Sequence, residues 1–217
     1  GLTCILPDNL LFRNIQPERG NENSLIANEG VSVYIKHPVI YFGTNYGLSA
    51  WDEIRMNFAN LSSDQLQREL NGTKVTAITV DQRNTLWVGT YDGLLGSYSN
   101  DFRLLETYHP SSADREDMQR IVLIKEIPNN HLLIVTQFQS HILLNFNIVK
   151  ATSEVVELYS KGSNITYCLL NSLRENKQGE LLGLISDQGL FHVNWKDNVL
   201  ENRLKAMNTK IGCYVSD

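Results

Sequence analysis

Leu86-Trp87-Val88-Gly89-Thr90-Tyr91-Asp92-Gly93-Leu94 reads as one strand, a tight turn and the start of a second strand. Leu86, Trp87 and Val88 suit a pleated, half-buried surface. Asp92-Gly93 accepts the positive φ that a short hairpin turn requires. The phrase recurs upstream as Ile40-Tyr41-Phe42-Gly43-Thr44-Asn45-Tyr46-Gly47-Leu48. Gly43 and Gly89 are 46 residues apart, and Val135, within Leu132-Leu133-Ile134-Val135-Thr136, lies another 46 on. Gly189-Leu190 answers Gly93-Leu94 at a distance of 96 residues, close to two periods. A repeat of this length made only of strands and turns fits a four-stranded propeller blade of roughly 40–50 residues. Helical repeats of similar period need apolar residues three and four apart, which these segments lack.

The composition agrees with a folded array. A chain of 217 residues, 42% of them hydrophobic, buries a real core. The formal charge of −5 disfavours nucleic acid or an anionic lipid surface as partner. No apolar run approaches the ~18–20 residues of a membrane span; Ile121–Ile124 and Leu132–Val135 are strand-sized. No basic-then-apolar leader pattern opens the chain. Cys4, Cys168 and Cys213 are an odd count without C-x-x-C spacing, which favours buried free thiols over a disulfide framework.

The expected fold is all-β: a propeller of four-stranded meander blades, about four of them plus the start of a fifth. Residues 1–25 form a lead-in, with a lone strand over Leu10–Ile15 that is expected to complete a last blade. The blades run over about 26–73, 74–118, 119–163, 164–209 and 210–217, the last incomplete. In the first, Val31–Ile35, Val39–Gly43, Leu48–Trp51 and Ile54–Phe58 are the expected strands. Ser62 with Gln65 three residues on resembles a capping box and predicts a short helix. The second has Val75–Val80, Leu86–Gly89, Leu94–Tyr98 and Leu104–Tyr108, followed by a charged linker from Pro110. The third has Arg120–Ile124, Leu132–Thr136, Ile142–Asn147 and Glu154–Tyr159. The fourth has Leu170–Arg174, Glu180–Ile185, Leu190–Trp195 and roughly Leu200–Met207. Ile211–Asp217 repeats the pattern of Val75–Asp81. An arc of this kind is expected to expose sheet edges that a second chain covers, so self-association through open blade edges is a further expectation.

Ile78-Thr79-Val80-Asp81, then Leu86-Trp87-Val88-Gly89-Thr90, then Gly93-Leu94 and Tyr98, resemble the two-component regulator propeller repeat. Asn84 stands where that family usually has Gly, and both accept left-handed geometry. Gly43-Thr44 and Gly47-Leu48 keep the motif in the first unit; Gly179 and Gly189-Leu190 keep it in the fourth. The resemblance implies the extracytoplasmic (periplasmic) sensor of a bacterial histidine kinase, often a hybrid kinase–regulator, and in many such sensors a carbohydrate fragment as signal. It implies no catalysis, no cofactor, and a membrane only through the parent protein.

Trp87, Gly89 and Thr90 read as a packing knob, a close strand approach and a turn hydrogen bond, and Gly43, Thr44, Gly93 and Gly189 as parts of the same structural motif. Topology points elsewhere for a site. In a four-stranded meander the second-to-third-strand turns and the blade-to-blade linkers share one face. That face is expected to carry Tyr46, Tyr91, Asp92, Phe138 and Asp187, with Asn45, Gln137 and Gln188. Aromatic rings stack on the apolar face of a sugar while amides and carboxylates pair with hydroxyls. His37, His109, His131, His141 and His192 show no metal-ligand spacing. No phosphate-binding loop, dinucleotide fingerprint or nucleophile elbow occurs. The competing readings are a propeller lyase or glycosidase using Asp92 and Asp187, and a non-catalytic protein scaffold.

Overall fold

A computed structural model describes residues 2–5, 12–70, 72–110, 120–137, 141–156, 159–160, 163–164, 170–176, 180–185, 189–194 and 199–202. The chain divides into two compact units, Gly1–Gln139 with Leu143–Val155, and Ser140–Ile142 with Val156–Asp217. The expected fifth-blade strand from residue 210 and the linker over 111–119 lie outside the described residues.

The first unit opens with β1 (Leu2–Ile5) and β2 (Phe12–Ile15), which pair antiparallel with Leu2 opposite Ile15. The strand expected to stand alone over Leu10–Ile15 is therefore one arm of a hairpin. Residues 16–29 then run over one face of the first sheet. The Asn60 amide donates to the carbonyls of Glu22 and Ser24, and Leu25 is buried with Phe42 and Phe58.

That sheet is β3 (Gly30–Lys36), β4 (Val39–Thr44), β5 (Gly47–Asp52) and β6 (Asn57–Ser62), in sequential order. The outer strand lies later than the expected Ile54–Phe58. The Asp52 carboxylate accepts from the N–H groups of Ile54 and Arg55, and Met56 takes a left-handed φ of 54°. Residues 53–56 are thus used in a turn, and pairing resumes at Asn57. Helix α1 (Ser63–Leu70) follows. Ser62 Oγ accepts from the Gln65 N–H, an N-cap that satisfies one orphan donor. The reciprocal half of the box does not form, because Gln65 Nε2 donates to Glu69 and to the Phe102 carbonyl. Leu66 and Leu70 are fully buried against the first two blades.

The second blade is β7 (Val75–Val80), β8 (Leu86–Thr90), β9 (Leu95–Tyr98) and β10 (Leu104–Tyr108). The third is β11 (Arg120–Ile127), β12 (His131–Gln137), β13 (His141–Asn147) and β14 (Thr152–Val155). Its outer strand ends earlier than the expected Glu154–Tyr159. The three inner strands stand side by side, β3 against β7 and β7 against β11. Such contact between first strands is what makes meanders fan from a shared axis as propeller blades.

Repetition extends to a detail that the sequence pattern does not announce. Each inner strand slips register near its start, between Gly30 and Ser32, Val75 and Ala77, and Ile121 and Leu123. One bulged residue per blade adds local twist at the same point of each repeat.

The glycines at the close approaches explain the period. A Cβ on Gly43 would meet Val75 O at 2.7 Å, and one on Gly89 would meet Ile121 Cγ2 at 2.7 Å. The second strand of the first and of the second blade is therefore stripped of a side chain where the next blade's first strand arrives. Trp87 fills the gap between the second and third blades. Its ring lies 5.8 Å from Tyr108 and 6.3 Å from Phe146, and its Nε1 donates to Asp81 Oδ2 at 3.0 Å. Asp81 Oδ1 accepts from the N–H groups of Arg83 and Thr85. Asn84 closes that turn with a φ of 63°. The expected Asp turn and the expected Trp knob are one hydrogen-bonded unit.

Burial also sets an alkaline limit. Burial, then the Glu106 carboxylate, pushes the Tyr108 hydroxyl up to about 12. Burial raises Tyr98, with Glu69 adding to it, and burial raises Tyr41, with Tyr34 adding to it. The folded state favours neutral phenols, so this contribution is full below pH 10.0, the ordinary value, and is lost as pH climbs toward about 12. Ultraviolet titration is expected to resolve a late phenolate step that coincides with unfolding. All nine tyrosines ionising together, with the fold intact, would contradict this packing.

The second unit holds β15 (Tyr159–Ser160), β16 (Ser163–Asn164), β17 (Leu170–Glu175), β18 (Leu181–Ile185), β19 (Gly189–Asn194) and β20 (Val199–Asn202). The last four form a meander of the same kind, with the same register slip between Leu170 and Ser172. The outer strand opens at Val199, beside the expected start at Leu200, and the rest of the expected Leu200–Met207, from 203 on, lies outside the described residues. Beyond it, Tyr159 pairs parallel with Val199, so the hairpin β15–β16 extends this sheet to six strands.

Candidate functional site

The turns between second and third strands are built by threonine. Thr44 Oγ1 donates to the Gly47 carbonyl and accepts from the Tyr46 N–H. Thr90 Oγ1 accepts from the Leu94 N–H at 3.2 Å, and Gly93 turns the chain with a φ of 83°. The linker after α1 runs between these two turns. Thr73 Oγ1 donates to the Asn45 carbonyl at 3.3 Å, and the Tyr91 N–H donates to the Lys74 carbonyl at 3.0 Å. Turns and linker therefore share a face, as the meander topology requires.

Tyr46 and Tyr91 both project from this face, 58% and 48% exposed. Exposed aromatic rings at this level are not core packing. Asp92 is half-buried and closes on the linker, since a Cβ on Gly72 would collide with its Oδ2. Asn45 Nδ2 donates to Glu29 Oε2. Phe138 and Asp187, the other two expected site residues, lie outside the described residues. Gly189 opens β19 and pairs with Ile185. Gly43, Thr44, Trp87, Gly89, Thr90 and Gly93 serve the fold.

Two cations join Tyr91 that sequence reading missed. Lys74 Nζ lies 4.9 Å from the ring centroid and Arg120 Cζ lies 5.9 Å from it. Arg120 also donates from Nε to Gln137 Oε1 at 2.9 Å. No described carboxylate forms an ion pair with either cation; the ion pairs among the described residues are His37–Glu53 and Arg55–Asp52. The signal was present in the period: Lys74 and Arg120 are 46 residues apart, as are Asn45, Tyr91 and Gln137 in turn. The face is thus a row of repeat-equivalent positions, aromatic or amide at the turn and basic at the root of the inner strand. Its chemistry is an exposed ring with positive charge beside it that no described carboxylate neutralises, suited to a polyhydroxylated or anionic small molecule. Among the described residues no three His, Cys, Asp or Glu side chains gather as metal ligands, and no helix is long and apolar enough to cross a membrane.

Residues 69–92 match the family model described as two component regulator propeller. Solved structures with a similar fold include the extracellular domain of BT3049 from B. thetaiotaomicron, assigned to a hybrid two component system, at 19% identity and a TM-score of 0.63, over 87% of this chain and 24% of that one. The extracellular domain of BT4673 from the same organism aligns at 16% identity and a TM-score of 0.58, over 83% of this chain and 22% of that one. The β-propeller domain of Cps50 (Swd1) from Myceliophteria thermophila aligns at 11% identity and a TM-score of 0.59, over 82% and 56%. The chain spans about a quarter of the length of the two bacterial domains. No curated protein matches. These likenesses fix the fold as a β-propeller.

Proposed function

We propose that the chain is part of the extracytoplasmic sensor of a bacterial two-component system. On this reading it binds a carbohydrate fragment and passes the signal to a histidine kinase elsewhere in the parent protein. The observation that carries the reading is where the family match falls. Residues 69–92 run from the end of α1 through Gly72 and Lys74 to Tyr91 and Asp92. They are the segment that builds the loop face. Lys74 and Arg120 favour a sugar bearing carboxylates, with Tyr91 as the stacking ring and Tyr46 as a second contact. Binding across turns of successive blades would bias their relative positions, and with them the kinase, between two states.

Calorimetric titration with oligouronides tests this. Tyr91→Ala is expected to weaken binding about tenfold while leaving the melting temperature nearly unchanged, because the ring is exposed and its stacking is worth about one such factor. Raised salt is expected to weaken binding further by screening the two cations. Heat of binding that is indifferent to Tyr91 and to salt would remove the loop face as the sensing site.

Self-association belongs to the same proposal. Val31, Val33 and Ile35 are 40%, 58% and 66% exposed on one side of β3, whereas Ile78 and Val80 of β7 are buried against the first blade. A further blade, from a second copy, would cover that row. Sedimentation as a monomer at every concentration would count against it.

A further inference from the structure

On the side of the first two blades opposite the Tyr46 and Tyr91 turns lies a cleft of about 530 Å³. It opens between the β3–β4 and β5–β6 turns of the first blade and the β7–β8 and β9–β10 turns of the second. That volume is within the ~300–1,000 Å³ usual for small-molecule sites. We infer that this cleft is a second binding site, for an uncharged mono- or disaccharide.

The walls and mouth carry the inference. The inner wall is apolar, formed by Val39, Tyr41, Val80 and Phe102. Tyr41 is only 8% exposed, yet no described residue hydrogen-bonds its hydroxyl, which belongs to the cleft lining. The hydroxyl therefore opens on the cleft and is available to a ligand hydroxyl as donor or acceptor. The mouth carries the amides of Asn57, Asn84 and Asn100. Those of Asn57 and Asn100 form no hydrogen bond with described residues. Asn84 spends its Oδ1 on Lys36 Nζ at 2.9 Å and keeps its two N–H donors. Each free amide offers both a donor and an acceptor, the pairing that a sugar hydroxyl, itself donor and acceptor, requires.

Charge selects for a neutral ligand. The charged groups around the mouth are already engaged with one another or with the backbone. Arg55 Nη1 pairs with Asp52 Oδ2 at 3.3 Å, and His37 pairs with Glu53 at 3.2 Å. Lys36 Nζ donates to the Asp81 carbonyl at 2.6 Å as well as to Asn84. Asp52 Oδ1 is held by the Ile54 and Arg55 N–H groups. The hydrogen bond from the Arg55 N–H is the main reason its carboxyl stays below the usual range. A charged ligand would have to break one of these pairs. A neutral polyol need break none. The site differs in this from the loop face, where Lys74 and Arg120 have no carboxylate partner among the described residues.

Saturation-transfer NMR on the full chain tests the site, using maltose, cellobiose, lactose and xylobiose as probes and glucuronate as charged comparator. At least one neutral disaccharide is expected to bind, and glucuronate is expected not to displace it. Asn57→Ala and Asn100→Ala, both at exposed positions, are expected to leave melting unchanged and to weaken that sugar about tenfold each, the effect of one lost hydrogen bond in a partly desolvated site. Tyr41→Phe, which keeps the ring and removes the hydroxyl, is expected to act in the same direction. Tyr91→Ala on the loop face is expected to leave this affinity alone. Transfer to none of the four disaccharides would overturn the proposal. So would binding that falls with Tyr91→Ala and ignores the three cleft variants.

Discussion

Trp87→Ala is expected to lower the unfolding free energy by about 3–5 kcal/mol, the upper range for deleting a large core side chain. Three losses coincide there. The indole is 2% exposed, so its removal leaves a cavity that the sheets on either side cannot close. Tyr108 and Phe146, themselves 5.0 Å apart, lose the ring that both pack against. Asp81, 3% exposed, loses the donor to Oδ2 while its other oxygen stays held by Arg83 and Thr85. Trp87→Phe separates the terms. It restores most of the ring and leaves the carboxylate oxygen unpaired, at a cost of about 1–3 kcal/mol. Urea unfolding at constant slope measures both. A loss for Trp87→Ala of less than about 1 kcal/mol would mean that the ring is not the wedge between two blades.

Gly43→Val is expected to cost about 3 kcal/mol, at the high end for overpacking. A new Cβ would meet the Val75 carbonyl oxygen at 2.7 Å and Val75 Cγ1 at 2.8 Å. The oxygen is backbone, so a rotamer change cannot relieve the contact. Either the first two blades separate or the strand shifts. Ser32, whose Oγ donates to that same carbonyl, would lose its place as well. Gly30 provides the control, since nothing lies within 4 Å of a Cβ placed there. Gly30→Ala is expected to stay within about 0.5 kcal/mol of the parent chain. Equal effects at Gly30 and Gly43 would show that backbone flexibility, and not the blade-to-blade approach, governs both.

Much of this fold is legible in the residues because each blade must solve the same problem. The threonine that ties the turn recurs at Thr44, Thr90 and Thr136 and the glycine that admits the next inner strand at Gly43 and Gly89, so the period exposes them, while the Asp81–Trp87 pair that fills the gap has Ile35 and Tyr41 in its place one period earlier. The second blade keeps all of these, and its strands lie within a residue of expectation. Errors fall where a local interaction overrides the pattern. Asp52 captures two backbone N–H groups and delays the outer strand to Asn57. The third blade keeps little of the phrase beyond Thr136, and its outer strand and the hairpin after it are not readable from alternation. The candidate face is legible through topology, which groups Tyr46, Tyr91 and Asp92. Lys74 and Arg120 were missed because a basic residue beside a strand is ordinary until its repeat partner is noticed. The opposite cleft has no sequence signature at all. It lies between two blades, with Tyr41 and Phe102 in its wall, and is a product of how those blades pack.

The account rests on successive meanders packing inner strand to inner strand with one period between equivalent contacts. Nuclear Overhauser measurements on methyl-labelled protein test it most directly. The account predicts strong cross-peaks from Gly43 Hα to a Val75 methyl and from Gly89 Hα to the Ile121 γ2 methyl, two equivalent contacts 46 residues apart along the chain. Their absence, with the strand pairings inside each sheet intact, would contradict the propeller arrangement and the shared loop face that depends on it.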